Sequence, residues 1–328
     1  MIIPIYNEEK IIREKIQNTL SLDYPPDKFE LIVVSDASTD ETHEIIQCFQ
    51  GDRLKLFVLP ERQGKAGALN KGLSQVKNQI IVFSDASIIL KKNALKRIVR
   101  QFQFDDIGCI SGEDYIPGGY GEGAYGKYEL FLRNLESRVR SIVGASGCFY
   151  AQRKTLCDSF REGMAPDFLS VLQSVEKGFR AVTESKAKGA MESVRYSSLE
   201  FQRKVRTLLR GITTLMAFIH LMNPFRYGIF AIELLSHKIL RWFAGIFLIL
   251  LFISNPFLLH SNFFSIVFFL QLLFYFLAAI GWKDINGLSD KLFVKIPLFF
   301  CLVNLSALIA LFKYFKGYRQ EIWEPTKR

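Results

Sequence analysis

Ile80-Ile81-Val82-Phe83-Ser84-Asp85-Ala86-Ser87 is an apolar run that stops on a carboxylate and carries a hydroxyl two residues later. A short, β-branched run of this kind reads as a buried strand, and an acid at its carboxyl end stands where open α/β sheets bind their ligands. Beside a glycine-rich loop, such an acid is placed to meet a metal-bound phosphate.

The same pattern repeats on either side. Residues 29–34, 54–59, 79–84 and 107–111 are short apolar runs bounded by polar turns, as buried parallel strands require. Between them Ile11, Ile12, Ile16 and Leu20, and later Leu95, Ile98, Val99 and Phe102, recur at helical spacing. Alternation of this kind predicts an α/β fold, a doubly wound sheet with its ligand site beyond the carboxyl ends of the strands. Asn7-Glu8, Asp36, Lys65 and Asp85 all fall at those ends.

Composition divides the chain. Its 328 residues are 49% hydrophobic and include 30 Phe, yet the first two thirds are rich in charge. A soluble domain followed by a membrane domain accounts for both. The net charge of +10 arises from dispersed Lys and Arg, many flanking apolar stretches, so it suits a cytosolic membrane face and not nucleic acid. Cys48, Cys109, Cys148, Cys157 and Cys301 have no paired spacing, which predicts neither a zinc site nor disulfides and fits a reducing compartment. Met1-Ile2-Ile3-Pro4-Ile5-Tyr6 runs straight into charged residues, so no signal peptide is expected.

Two loops carry further chemistry. Asp36 lies ahead of Thr39 and Asp40, either of which would cap the next helix, leaving the Asp36 carboxylate to accept from a ribose or base. Arg62-Gln63-Gly64-Lys65-Ala66-Gly67-Ala68-Leu69-Asn70-Lys71-Gly72 offers glycines and an ammonium at a helix start. That combination suits phosphate or a plain tight connection, but its spacing is not that of a P-loop.

Taken in order, Ile3-Pro4-Ile5-Tyr6-Asn7-Glu8, Ser35-Asp36-Ala37-Ser38-Thr39-Asp40, Gly64-Lys65-Ala66-Gly67-Ala68-Leu69-Asn70 and Ser84-Asp85-Ala86-Ser87 resemble the motifs of family 2 glycosyltransferases. The resemblance covers residues 1 to about 211, and implies an inverting, membrane-bound enzyme with a GT-A, Rossmann-like nucleotide-sugar domain of the polysaccharide or lipid-linked sugar type. It implies that Asp36 contacts the uridine of a UDP donor, Glu8 lines the nucleotide pocket and Lys65 approaches the base or diphosphate. Asp85 takes the metal-binding DxD position, with Ser87 in place of the second acid. Mg²⁺ or Mn²⁺ is then the expected cofactor, since such ions often take only one or two protein carboxylates.

By the same resemblance Asp167, in Pro166-Asp167-Phe168, is the general base, with Pro166 replacing the first acid of the family's pair; alone, it would also pass as a helix cap. Gly147 and Cys148, within Gly144-Ala145-Ser146-Gly147-Cys148-Phe149-Tyr150-Ala151, resemble the acceptor loop. Tyr125-Gly126-Lys127-Tyr128-Glu129 resembles a helix that either stacks sugars or merely packs. In Gln202-Arg203-Lys204-Val205-Arg206-Thr207, Arg206 matches the arginine of a Gln-x-x-Arg-Trp motif that binds the diphosphate, with Arg203 at the Gln position and Thr207 at the Trp. A basic interfacial helix would carry similar residues.

The expected domains are 1–211, a cytosolic catalytic unit; 212–240, interfacial helices; 241–313, about three transmembrane helices at residues 242–259, 263–280 and 293–312; and 314–328, a basic tail. Lys238 and Arg241 precede the first span and favour a cytosolic catalytic domain. Residues 283–291 read as cytosolic and 255–262 as external. The basic tail conflicts with an odd number of spans. The expected partners are a nucleotide-sugar donor, a lipid-linked or saccharide acceptor, the bilayer and polysaccharide export proteins. A non-catalytic subunit of such a complex is the alternative, suggested by Ser87 and Thr207.

Overall fold

The computed structural model describes residues 1–49, 51–116, 122–191 and 197–319. Four strands, β1 (Ile2–Ile5), β2 (Leu31–Ser35), β3 (Leu54–Val58) and β4 (Ile80–Ser84), lie parallel in the order β3-β2-β1-β4. They are joined by α1 (Ile12–Leu20), α2 (Thr42–Gln47) and α3 (Gly64–Gln75). Successive residues of β1 and β2 feed opposite cores: Ile2, Ile32 and Val34 go to one, Ile3, Leu31 and Val33 to the other. Burial on both faces is why these strands read as unbroken apolar runs. Each such side chain contributes about 1.5–3 kcal/mol. A Cβ on Gly72 would stand 2.7 Å from Ile2 Cγ2, so α3 lies against the sheet at a distance only glycine permits.

Beyond β4 come β5 (Ile89–Leu90), α4 (Ala94–Arg100), β6 (Ile107–Tyr115), α5 (Glu122–Val139), β7 (Phe149–Arg153), α6 (Pro166–Glu176) and β8 (Arg180–Ala190). The completed eight-stranded order is β3-β2-β1-β4-β7-β6-β8-β5. Beyond the runs that read as parallel strands the sheet is mixed: β7 runs antiparallel to both β4 and β6, while β6 and β8 are parallel. The reversal has a physical consequence. It brings the start of β7 beside the end of β4, so the loop before β7 borders the carboxyl end of the sheet.

The chain continues through α7 (Ser197–Ala217), α8 (Pro224–Tyr227), α9 (Ile229–Leu234), a π-helical turn (Leu235–Leu240), α10 (Arg241–Ser254), α11 (Asn262–Trp282) and α12 (Leu292–Phe315). Three helical stretches, Ile229–Leu258, Asn262–Trp282 and Leu292–Phe315, are long and apolar enough to cross a membrane. The first starts upstream of residue 242 because the π turn keeps the helix continuous through the polar Ser236, His237 and Lys238. His237 Nδ1 lies 2.5 Å from Glu136 Oε1, and Arg241 pairs with Glu129, so these polar groups are docked on α5. Close approach at Gly245, where a Cβ would lie 2.8 Å from Leu308 Cγ, joins α10 to α12. Ala310 and Leu311 of α12 share a core with Leu209, Ile212 and Leu215 of α7 and with Phe83 of β4. The last apolar helix is thus seated on the domain that carries the candidate site.

Candidate active site

The turn after β4 is fixed first by backbone. Asp85 N donates to Cys148 O at 2.9 Å, tying the turn to the loop that precedes β7. Lys65, in the first turn of α3, reaches across: its Nζ lies 2.5 Å from Asp85 Oδ1 and 3.5 Å from Gly147 O. On the far side of Gly147, a Cβ would fall 3.8–3.9 Å from the carboxylate atoms of Asp167. Four segments thus bring Asp85, Lys65, Gly147 and Asp167 together at the carboxyl end of the sheet. Cys148 shares the loop, but burial and then Asp85 push its thiol well above the ordinary range, so it is no ready nucleophile.

Asp167 is not the cap of its helix. The N-cap is Ala165, Pro166 occupies the first turn, and among the described residues the Asp167 carboxylate makes no hydrogen bond or ion pair. Its backbone surroundings are held instead by α7. Arg210 Nε and Nη2 donate to Met164 O at 3.0 and 2.6 Å, and Ala165 N donates to Thr214 Oγ1 at 2.9 Å. Burial lowers the Arg210 guanidinium from its ordinary value, with Asp167 opposing that shift. Arg206 lies one turn earlier on the same helix and is half-buried, so the two arginines share a face. Arg210 was legible only as the i+4 partner of Arg206.

Asp36 is deeply buried, 1% exposed, and its two oxygens are engaged locally. Gln63 N donates to Oδ1 at 2.7 Å and Gly64 N to Oδ2 at 3.0 Å, so Asp36 fastens the start of α3 and with it Lys65. Arg62 Nε stands 3.7 Å from Oδ2, and its guanidinium lies over the Tyr6 ring at 3.7 Å. That stacked pair, unrecognised in the sequence, forms a planar surface beside the strand ends. Glu8 is half-buried; its backbone N donates to Thr42 Oγ1 and its carbonyl accepts from Ile12 N, both at 2.9 Å, which sets the mouth of α1. The N-cap of α2 is Glu41, with no side-chain cap hydrogen bond, and not Thr39 or Asp40 as expected; Asp40, one residue earlier, accepts from Thr42 N at 3.1 Å through Oδ1. Of residues 125–129, Tyr128 is exposed and Glu129 pairs with Arg241, while the side chain of Tyr125 lies outside the described residues.

Lys15 was missed altogether. It is fully buried beneath the Asp85 turn, with Nζ donating to Ser84 Oγ and Ile88 O, each at 2.7 Å. Its signal was a lysine between Ile12 and Ile16 on an apolar helical stripe. Burial lowers its ammonium to about 7, against the pull of Asp85 and Cys148. Unfolding restores the ordinary value of 10.5, so the unfolded chain binds more protons between these limits and stability rises with pH across that window. From pH 7 to pH 9 the gain is about 2 kcal/mol. Melting curves of the wild type and Lys15→Met at the two pH values check this: the variant loses that part of the rise.

Among the described residues no group of three His, Cys, Asp or Glu could enclose a metal ion. Asp85, half-buried at a strand end with Ser87 two residues on, fits a divalent cation that takes its remaining oxygens from a bound diphosphate and water.

Residues 1–158 match the family described as Glycosyl transferase family 2. The poly-beta-1,6-N-acetyl-D-glucosamine synthase of Staphylococcus aureus (strain COL) is 32% identical over 117 residues, 35% of this chain and 28% of that protein. The match therefore spans little more than a quarter of that relative's length. Among solved structures, the mannosyltransferase PcManGT from Pyrobaculum calidifontis, in complex with GDP-Man and Mn²⁺, aligns with a TM-score of 0.72 at 22% identity over 97% of this chain and 87% of its own. S. aureus TarS 1–349, in complex with UDP-GlcNAc, aligns with a TM-score of 0.52 at 15% identity over 96% and 91%. These likenesses establish the fold.

Proposed function

From a chain that carries a family 2 glycosyltransferase domain, we propose an enzyme that moves a sugar, with inversion, from a UDP-linked donor to a lipid-linked or polysaccharide acceptor at the cytosolic face of a membrane. The observation that carries this reading is the meeting of Asp85, Lys65 and Asp167 around Gly147. In the transfer, the acceptor oxygen bonds to the anomeric carbon as the bond from that carbon to the diphosphate breaks. Asp167 takes the acceptor hydroxyl proton, for which a carboxylate that makes no hydrogen bond among the described residues is suited. Arg206 holds the charge that develops on the departing diphosphate. Asp85, with Ser87 as a weak or water-mediated partner, would hold Mg²⁺ or Mn²⁺, whose chemistry is to neutralise diphosphate charge. Glu8, Asp36 and the Tyr6–Arg62 surface border the space for the nucleoside, and Gly147 with Cys148 that for the acceptor.

In this reading residues 1–211 are the catalytic unit, 212–240 lie along the membrane surface as they lead into the first span, and 241–313 hold most of the spanning helices. Exposed Phe225, Ile229 and Ile232, followed by Phe247, Phe269, Phe276 and Phe293, would face lipid. Lys238 and Arg241, which lie within the first half of the stretch Ile229–Leu258 and do not precede it, support a cytosolic catalytic unit as basic residues on the domain side of that helix. Of the basic tail, Lys327 and Arg328 lie outside the described residues.

Ser87 and Thr207 favour a second reading, a non-catalytic subunit. Calorimetry on the purified full chain separates the two. UDP binding in the presence of Mn²⁺, stronger than that of other nucleoside diphosphates, is the expected result; failure to bind any of them removes the enzymatic reading.

A further inference from the structure

Resting on the reading of Asp85 as the metal carboxylate, we propose that Lys65 is a resident counter-ion that occupies this carboxylate until a donor diphosphate draws it away. With no nucleotide, the ammonium holds Asp85 and disfavours a free divalent cation there. When the diphosphate arrives it supplies anionic oxygens to Lys65, and the carboxylate becomes open to the cation at the same moment.

Three features carry this. The pair is short, 2.5 Å, and shielded, with the Lys65 side chain only 12% and that of Asp85 26% exposed, so solvent and salt screen it weakly. Ser87 takes the place of the second acid of the turn, and among the described residues no three-membered cluster of metal-ligating side chains exists. A dication entering the free site would therefore meet a carboxylate already neutralised. Lys65 is also anchored at its base and free to swing at its tip. Its backbone belongs to the helix start that Asp36 holds through Gln63 N and Gly64 N, whereas its four-carbon stem can redirect the ammonium without disturbing that cap. Its second contact, Gly147 O at 3.5 Å, is long and readily given up.

Electron paramagnetic resonance of free Mn²⁺ in titrations of the purified full chain, with and without UDP, tests the exchange. The wild type binds Mn²⁺ weakly alone and far more tightly with UDP. Lys65→Met raises the UDP-free affinity about tenfold, the scale of one shielded charge pair, and reduces the coupling between UDP and Mn²⁺ by the same factor. Lys65→Arg keeps a cation on Asp85 and keeps the UDP-free affinity low, which separates loss of charge from loss of fold. An unchanged UDP-free affinity in Lys65→Met overturns the proposal. Asp85→Asn tells this failure from a failure of the site itself: it must abolish the tight binding seen with UDP, and if it does not, the assignment of Asp85 falls and the counter-ion role with it.

Discussion

Asp167→Asn lowers transfer turnover by about 10²- to 10⁴-fold, the scale of a positioned general base, while UDP and Mn²⁺ affinities stay near those of the wild type. The substitution preserves shape and removes only the ability to accept a proton. Little else should change, because the Asp167 carboxylate makes no hydrogen bond or ion pair among the described residues, and the start of α6 is held by Arg210 on Met164 O and by Thr214 on Ala165 N. If Asp167 served merely as an acid favoured by the first turn of a helix, the variant would lose about 0.3–1 kcal/mol of stability and keep its turnover. Steady-state kinetics alongside melting curves distinguishes these outcomes.

Arg206→Gln lowers turnover by about 10²- to 10³-fold, as removal of one group stabilising a developing charge does elsewhere. The effect should appear in kcat more than in donor affinity, since the negative charge on the diphosphate grows as the anomeric bond breaks. Arg206 is half-buried, one helical turn before Arg210, whose guanidinium grips the loop entering α6. Exposed Gln202, two turns before Arg210 on the same helix, provides a control: Gln202→Ala leaves turnover within twofold of the wild type. A role limited to anchoring a basic helix at headgroups would instead make Arg206→Gln weaken membrane association and leave kcat intact. Kinetics in detergent, where no bilayer is present, separates the two.

The parallel half of the sheet was readable because β1, β2 and β4 are buried on both faces and end on polar turns, while β3, the partly exposed edge strand, is still a short apolar-rich run. The antiparallel half was harder for an equally physical reason. β8, Arg180–Ala190, carries Glu184, Lys186 and Lys188 along partly exposed positions, so no apolar run marks it. Its pairing with β5, Leu90 opposite Gly189, joins residues too distant for any local pattern to reveal. Within the candidate site, motif order singled out Asp85, Lys65 and Asp167, which the fold brings near one another, but not that Lys65 would sit on Asp85. Asp36 was legible as an acid at a strand end; its use by amides 27 and 28 residues later was not. Lys15 stayed hidden because helical periodicity assigns lysines to solvent, and only tertiary packing supplied the Ser84 hydroxyl and Ile88 carbonyl that make its burial tolerable. The early start of the first apolar helix was masked by His237 and Lys238, which read as a boundary until α5 provides Glu136.

The most direct measurement is transfer itself. Membranes containing the full chain are incubated with a panel of radiolabelled nucleotide sugars and Mn²⁺, then extracted with organic solvent, in parallel with membranes containing Asp167→Asn. The account predicts label from a UDP-linked sugar in the lipid phase or in polymer for the wild type, and its near absence for the variant. No transfer from any donor by the wild type, or equal transfer by the variant, would contradict it.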